Sequence, residues 1–482
     1  MSVSQGLLPF KVELVARPDP VTAYAGVPVV VEALLAAVPT GLFRELRDAL
    51  GYQDWKVVRR HLVSLVVLVA AGGEHLADLE WLRGDAGLEK LLGFKLSSPT
   101  QAKEFLYAFH QGADGHALTP EEDASLSEKG HAQVRPEGPG LQVLEAMVLG
   151  VVAALQAKRP KRRATLDVDA TIIEAHKKQA LMGYEGTVGY QPQMAWWAEQ
   201  GTYVCDEFRD GNVPAAFDGQ RYLQRTCANL PAGIEEIRLR ADSALYDERT
   251  LTWADARGIG FAVSADMSPV LAAEVAAVHE WSWKKYRNLK DPEDVTEERE
   301  WAEVPYVPAW KRNDVPGAVP FRYIAVRVRP RQRPLFGNED RVWRHFAVVT
   351  NFDWAGDRVV RWHREKQGSV EHGHDILKND LGGGVMPSGR FGANAAWWRV
   401  NVLVHGLLSL VKALDASGAL ADARPKTLRL RLLNLGARLI SHGRTWCVRL
   451  SRDLLQARIL VAVRRALVEL AARLRPGNPA PA

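Results

Sequence analysis

Three acidic residues in three different local settings define the chemistry open to this chain: Asp169 in the apolar run ATLDVDATII, Asp242 at the end of IEEIRLRAD, and Glu371 in GSVEHGHDILKNDLG. Two carboxylates at strand positions and a third on a helix are what a divalent-metal phosphoryl-transfer site needs. Oxygen donors suit hard cations such as Mg²⁺, with Mn²⁺ as a substitute, and two ions together can clamp the attacking and leaving oxygens of an in-line displacement at phosphorus. Residues of this kind point to an enzyme that cuts or joins nucleic acid.

Asp167 and Asp169 lie two apart on one strand and so share a face, and only one of them is needed as a ligand. Asp169, in the string DAT, is preferred and Asp167 is the alternative. Helical spacing places Glu371 on one face with His374, Asp375 and Lys378. A lysine there can pair with a DNA phosphate as a point charge. A transition-metal set of Glu371, His372 and His374 is a rival reading, weakened by the lack of a second Glu-x-x-His unit.

Carboxylates this far apart in sequence converge only if a sheet gathers them at one end. From Ala164 the chain reads as strands: ATLDVDATII, PQMAWWAEQ, GTYVCDEFR and, after a helical crossover near AAFDGQRYLQRTCANL, IEEIRLRAD. A helix, LYDERTLTWADARG, and the strand IGFAVSA follow. This makes an α/β domain with a mixed sheet, in the order expected of a ribonuclease H-like core. The core is expected in two parts, 160–267 and 346–395, separated by a β-rich insertion over 268–345. The insertion contains Trp281, Trp283, Trp301 and Trp310 and two strand candidates, FRYIAVRVR and WRHFAVVTN, the second placed to return to the core.

Residues 1–150 read as a helical, DNA-binding region and 396–482 as a helical, basic region for DNA-end contact or dimerisation, ending in a PGNPAPA tail. Ser98, Pro99 and Gln101 spell a capping box at a helix start, which serves either a helix-turn-helix-like reader or an ordinary bundle. The stretch from Gln111 to Pro139 reads as an exposed connection.

A chain of 482 residues is expected to hold roughly two to four domains, and 47% hydrophobic with 25% charged residues is ordinary for a globular protein. Cys205, Cys227 and Cys447 are few and scattered, which argues against a disulfide framework or a cysteine-rich zinc site and favours a reducing, cytoplasmic setting. The N-terminal sequence lacks a secretory pattern. The apolar stretch from Leu62 to Ala71 is much shorter than the roughly 20 residues of a membrane helix, so no membrane partner is expected.

The net charge of +5 is compatible with a polyanionic partner. Basic clusters recur at Lys158, Arg159, Lys161, Arg162 and Arg163, at Lys284, Lys285 and Arg287, and at Arg327, Arg329, Arg331 and Arg333. Lys426, Arg429, Arg431, Arg438, Arg444 and Arg449 continue the pattern in the C-terminal part. Their recurrence after residue 150 favours a long polyanion over a small ligand.

The strings TLDVDATII, FRDGNVPAA, RLRADSALYD and GSVEHGHDILKNDLGGG resemble, in order, the catalytic motifs of DDE transposases of bacterial insertion sequences, the 1380-type group in particular. The late string TLRLRLLNLGARLISHGRTW is similar to that group's C-terminal region, so the resemblance runs from about Leu166 to Trp446. It implies a ribonuclease H-like catalytic domain and Asp169, Asp242 and Glu371 as ligands of two Mg²⁺ ions. It also implies terminal inverted repeats and target DNA as double-stranded partners, and a homodimer that holds two element ends. The wider family shows a Tyr seven residues before the Glu, an Arg four before and a Lys seven after; here those places hold Arg364, Gln367 and Lys378. Lys378, Arg364, Lys161, Arg162 and Arg163 are the candidate DNA contacts. A metal-dependent nuclease or resolvase without strand transfer, and a catalytically silent DNA-binding relative, are the alternatives.

Overall fold

A computed structural model describes residues 3–5, 11–13, 20–126, 132–177, 179–183, 185–288, 292–311, 321–331, 342–442 and 445–474. Arg333, Arg444 and the PGNPAPA tail lie outside the described residues. The chain folds into two compact units: residues 1–117, 137–154 and 377–482 make the first, and residues 118–136 and 155–376 the second. The division differs from the expected succession of five segments. Most of the N-terminal region and all of the C-terminal region belong to one unit, and the insertion belongs with the first part of the core and with the second part up to residue 376, whereas 118–136 joins the second unit and 377–395 the first.

The second unit is built on a nine-stranded mixed sheet. Its strands are β1 (Arg163–Ala170), β2 (Gln193–Trp197), β3 (Thr202–Glu207), β4 (Glu236–Ala241), β5 (Gly260–Ala265), β6 (Lys284–Lys285), β7 (Glu297–Val304), β8 (Arg322–Pro330) and β9 (Arg344–Thr350). Across the sheet they run in the order β6-β7-β8-β9-β5-β4-β1-β2-β3. β1, β2 and β3 form an antiparallel meander, whereas β4 pairs parallel to β1 and β5 parallel to β4. Helices α1 (Gly219–Ala228) and α2 (Glu248–Ala256) make the connections that parallel neighbours require.

Residues 268–345 do not form a body of their own. β9 pairs antiparallel with β5, and β8 and β7 add beyond it, so the insertion extends the same sheet. Alternating Tyr323, Ala325 and Arg327 against Ile324, Val326 and Val328 bury both faces of β8. One face forms a cluster in which Trp301, Tyr286, Ile324 and Val326 meet Val359 and Val360 of helix α3 (Gly356–Arg364). Trp301 is thereby a core residue. Trp281, by contrast, is 83% exposed and stacks on His279.

The first unit is mainly helical. Its longest helix, Phe391–Leu414, is buried along nearly its whole length, with Arg399 held bidentately by Glu137. Leu62 to Ala70 are buried in the helix Trp55–Ala71, as the apolar run suggests. The capping box forms, Ser98 Oγ accepting from Gln101 N and Gln101 Oε1 from Ser98 N, and the helix Pro99–Tyr107 turns Ala102, Phe105 and Leu106 inward. Phe105 stacks on His61, which makes this a packed bundle helix.

Two sequence expectations need correction. The C-terminal region is not wholly helical: Ala437–His442 and Thr445–Arg449 pair antiparallel, and Val21–Thr22 joins them. Alternation of buried Ala437 and Leu439 with exposed Arg438 has the period of a strand, and charge counting hid it. The stretch between Gln111 and Pro139 is not simply exposed either. It carries the helix Pro120–Ser125, and its Asp123 and Arg135 are buried. The helix Pro139–Lys158 has the length and hydropathy of a membrane-crossing segment, yet Leu144, Met147, Val151 and Val152 are all buried in the protein.

Candidate active site

β1 alternates Ala164, Leu166 and Val168 with Thr165, Asp167 and Asp169, and both sets are withdrawn from solvent to different degrees. The polar face is therefore matched partner by partner, as buried polar groups must be. Thr165 bonds through N and Oγ1 to the carboxylate of Glu199. Asp167 is fully buried and takes a bidentate pair from Arg240, at 2.5 Å from Nε and 2.9 Å from Nη2, plus a bond from Ser369 Oγ. Asp169, 15% exposed in its side chain, accepts from Ala170 N at 3.1 Å and pairs with Lys366 Nζ at 3.0 Å.

Parallel register brings further acids to the same edge. Ala241 pairs with Val168 and with Val263, so the carboxyl ends of β1, β4 and β5 lie side by side. Asp242 is the first residue after β4 and Asp266 the first after β5. Asp169, Asp242 and Asp266 all line one cleft of 770 Å³, opening where parallel strands end, the usual ligand position in such sheets. Asp242 also caps a short 3₁₀ turn through Ala244 N at 3.1 Å. Much of the rest of the lining is backbone-rich, with Gly183, Gly189, Gly211, Ala215 and Ala216. Gly211 is obligatory there, since a Cβ would lie 2.5 Å from the Leu181 carbonyl oxygen and 2.7 Å from that of Gly189.

Glu371 lies on helix α4 (Val370–Asp375), which packs against β1 and β2; it is exposed and is not among the residues lining the cleft. What seats α4 is Gly373. A Cβ there would meet Tyr203 Oη at 2.5 Å and the Trp196 ring at 2.9 Å, so only a glycine lets the helix lie this close to β2 and β3. His374 is buried and lies parallel to the Tyr203 ring, away from an exposed His372, which dissolves the proposed histidine set. Burial lifts the Asp169 carboxyl to about 6; Lys366 opposes the shift, and the negative charges of Asp242 and Glu371 add to it. The three acids thus share one electrostatic environment. Among the described residues, no three His, Cys, Asp or Glu side chains stand close enough, as they are, to hold a metal ion.

A family model described as "Transposase DDE domain group 1" matches residues 11–472. The chain belongs to this family. It is a DDE transposase, a DNA-cleaving and strand-transferring enzyme, and such enzymes generally use divalent metal ions. No curated protein matches the sequence. Among solved structures, the transposase is similar to a chain of the piggyBac transposase synaptic complex with hairpin DNA, seen by cryo-EM, at 9% identity and a TM-score of 0.43 over 79% of this chain and 70% of that one.

Of the remaining candidates of the transposase that belong to the second unit, none lines the cleft. Arg163 begins β1 whereas Asp169 lies near its other end, six residues or about 20 Å along the strand. Arg162 and Arg163 pair there with Glu235 and Glu236, and Lys161 is tied through its backbone to Gln156. Arg364 is half-buried at the end of α3, where burial pushes the Tyr286 hydroxyl up and the Arg364 charge pulls it back. Lys378 falls on a π-helical turn, Ile376–Asp380, in the first unit, so the unbroken α-helix assumed for its alignment with Glu371 ends at Asp375.

Sequence reasoning missed Lys366, Arg240, Ser369 and Asp266. Arg240 was legible, because β4 reads R-L-R-A-D and its second arginine must face somewhere buried on a central strand. It also missed what the motif FRDGNVPAA does in the transposase. Its charges are structural: Arg209 is buried against Glu207, and Asp210 binds Arg135, which also holds Asp123. These pairs fix the backbone that walls the cleft.

Proposed function

We propose that this transposase belongs to the 1380-type group of insertion-sequence enzymes and performs cut-and-paste transposition, cleaving at terminal inverted repeats and joining the freed 3′-hydroxyl to target DNA. We further infer a ribonuclease H-like catalytic core. Numbered along the chain, its first five strands lie in the order 3-2-1-4-5, with the first, fourth and fifth parallel. The observation that carries the reading is that Asp169 and Asp242 line one cleft at the carboxyl ends of adjacent parallel strands, with Glu371 acting electrostatically on Asp169.

The residues fit a hard cation. The donors are all carboxylates, and Asp169 already holds a cationic partner in Lys366. Asp169, Asp242 and Glu371 would hold Mg²⁺, with Mn²⁺ as a substitute and two ions as the working number. Bound ions supply charge stabilisation and activation for the in-line displacement at phosphorus. The chain's own residues do the rest. Asp242 is oriented by its cap to Ala244, Glu371 by the seating of Gly373, and the glycine-rich wall leaves room for a phosphodiester backbone. No side-chain nucleophile is required. The DNA partners are the element ends and the target, and we propose that two copies of the chain hold two ends together.

The test is cleavage of a labelled duplex carrying the inverted repeats that flank the gene, with Mg²⁺. End-specific cuts leaving a 3′-hydroxyl, followed by joining to a target and lost in Asp169→Asn, Asp242→Asn and Glu371→Gln, are expected. Cleavage without joining would mark a nuclease, and tight end binding without cleavage in either metal would mark a silent relative.

A further inference from the structure

The cation beside Asp169 is part of the chain. Lys366 is 7% exposed and sits on the turn Glu365–Gly368 between α3 and α4. Ser369 Oγ lies within hydrogen-bonding reach of both the Lys366 carbonyl oxygen, at 3.0 Å, and the Asp167 carboxylate, which Arg240 holds in turn. The backbone of the turn is therefore pinned to the buried pair, while the ammonium extends to Asp169. Both Asp169 oxygens are engaged, Oδ1 by Ala170 N and Oδ2 by Lys366 Nζ. An ion entering from the cleft meets a carboxylate with a contact at each oxygen and a cation already beside it.

A lysine is suited to a partnership that must break. It holds a carboxylate through one point contact on a flexible four-carbon stem, so the head can swing away without moving its backbone. An arginine fork would not release so readily. We propose that Lys366 is a resident competitor at the metal site: it neutralises Asp169 when no divalent ion is present and withdraws when one binds, so that its departure sets the affinity of the site. This rests on the reading of Asp169 as a metal ligand. By linkage, whatever removes the ammonium from Asp169 raises the affinity for the ion to the same extent.

The test uses the full chain without DNA and reads ion binding directly, by the paramagnetic signal of free Mn²⁺ during titration. Lys366→Met is expected to bind Mn²⁺ about tenfold more tightly than the unmodified protein, equivalent to about 1.4 kcal/mol. Lys366→Gln carries the same expectation should the methionine variant fold poorly, and Lys366→Arg is expected to show no gain. Affinity unchanged or weakened in both neutral variants, while Asp169→Asn still weakens binding, would overturn the competition and leave the ligand assignment standing. Affinity unchanged in Asp169→Asn would overturn the ligand assignment, and the competition with it.

Discussion

Asp167 and Asp169 are the same residue type on the same face of the same strand, about 7 Å apart, yet they occupy two different regions of the molecule. Asp167 is inside, clasped by two nitrogens of a planar guanidinium and by a serine hydroxyl. Asp169 is at the rim, held by one ammonium and one backbone N–H, with the cleft in front of it. Burial pushes both carboxyls up, and a basic neighbour pulls each one back. The difference lies in what the neighbour permits. A bidentate arginine makes a lasting structural joint, whereas a lysine holds its carboxylate by a single contact that can be given up.

The comparison breaks first at the rim. Asp242→Asn, which removes a rim carboxylate and little volume, is expected to slow DNA cleavage roughly a thousandfold or more while DNA affinity holds. That figure follows from metal-borne charge stabilisation worth several kcal/mol. A variant cleaving at the normal rate would show that the rim is not the reaction site. At the interior joint the effect should appear as stability. Arg240→Met leaves Asp167 buried without its counter-charge, and a loss of about 3–5 kcal/mol in denaturant unfolding is expected. Adding Asp167→Leu to it should recover most of that loss, whereas no recovery would mean that Arg240 acts through its contacts with Trp362 and Glu365 instead.

Gly373→Ala probes the link between the two regions, because α4 carries Glu371 at the rim and is seated on Tyr203 and Trp196. Overpacking there should cost about 1–3 kcal/mol and reduce cleavage by more than it reduces DNA binding; equal losses in both would assign the effect to general unfolding. The smallest effect is expected at the far end of β1. Arg162→Ala should lower the salt dependence of DNA binding by about one unit of slope and leave the cleavage rate at saturating DNA unchanged. A drop in that rate would place this run at the reacting phosphate.

The mixed sheet, the placing of Asp169 and Asp242 at strand ends and the return of WRHFAVVTN to the core were legible because each is written locally, in an apolar run of strand length. What decides between Asp167 and Asp169 was not legible. Both satisfy the same period-two rule, and their partners Arg240 and Lys366 stand 73 and about 200 residues away, with nothing local to say which aspartate each one meets. That Arg162 and Arg163 stand at the end of β1 away from Asp169 was not legible for a related reason, since a charge run says nothing about which end of a strand it occupies. Lys378 was tied to Glu371 by a helical period that holds only while the helix stays α. The FRDGNVPAA motif was recognised by resemblance, but its buried pairing with Arg135 and Asp123 comes from a stretch whose glycines and prolines advertised a loop.

β1 lies inside its sheet, between β2 and β4, and β4, the neighbour that completes its rim, follows only after residue 235. During synthesis the chain must wait through the meander and a crossover helix before a second carboxylate arrives, and through the whole insertion before Glu371 does. Contacts of such long sequence separation form late, because loop closure must precede them. A ribosome that stalls anywhere before residue 371 therefore releases a chain carrying at most two of the three acids. On the proposed ligand set, a partial product of this gene never holds a complete site.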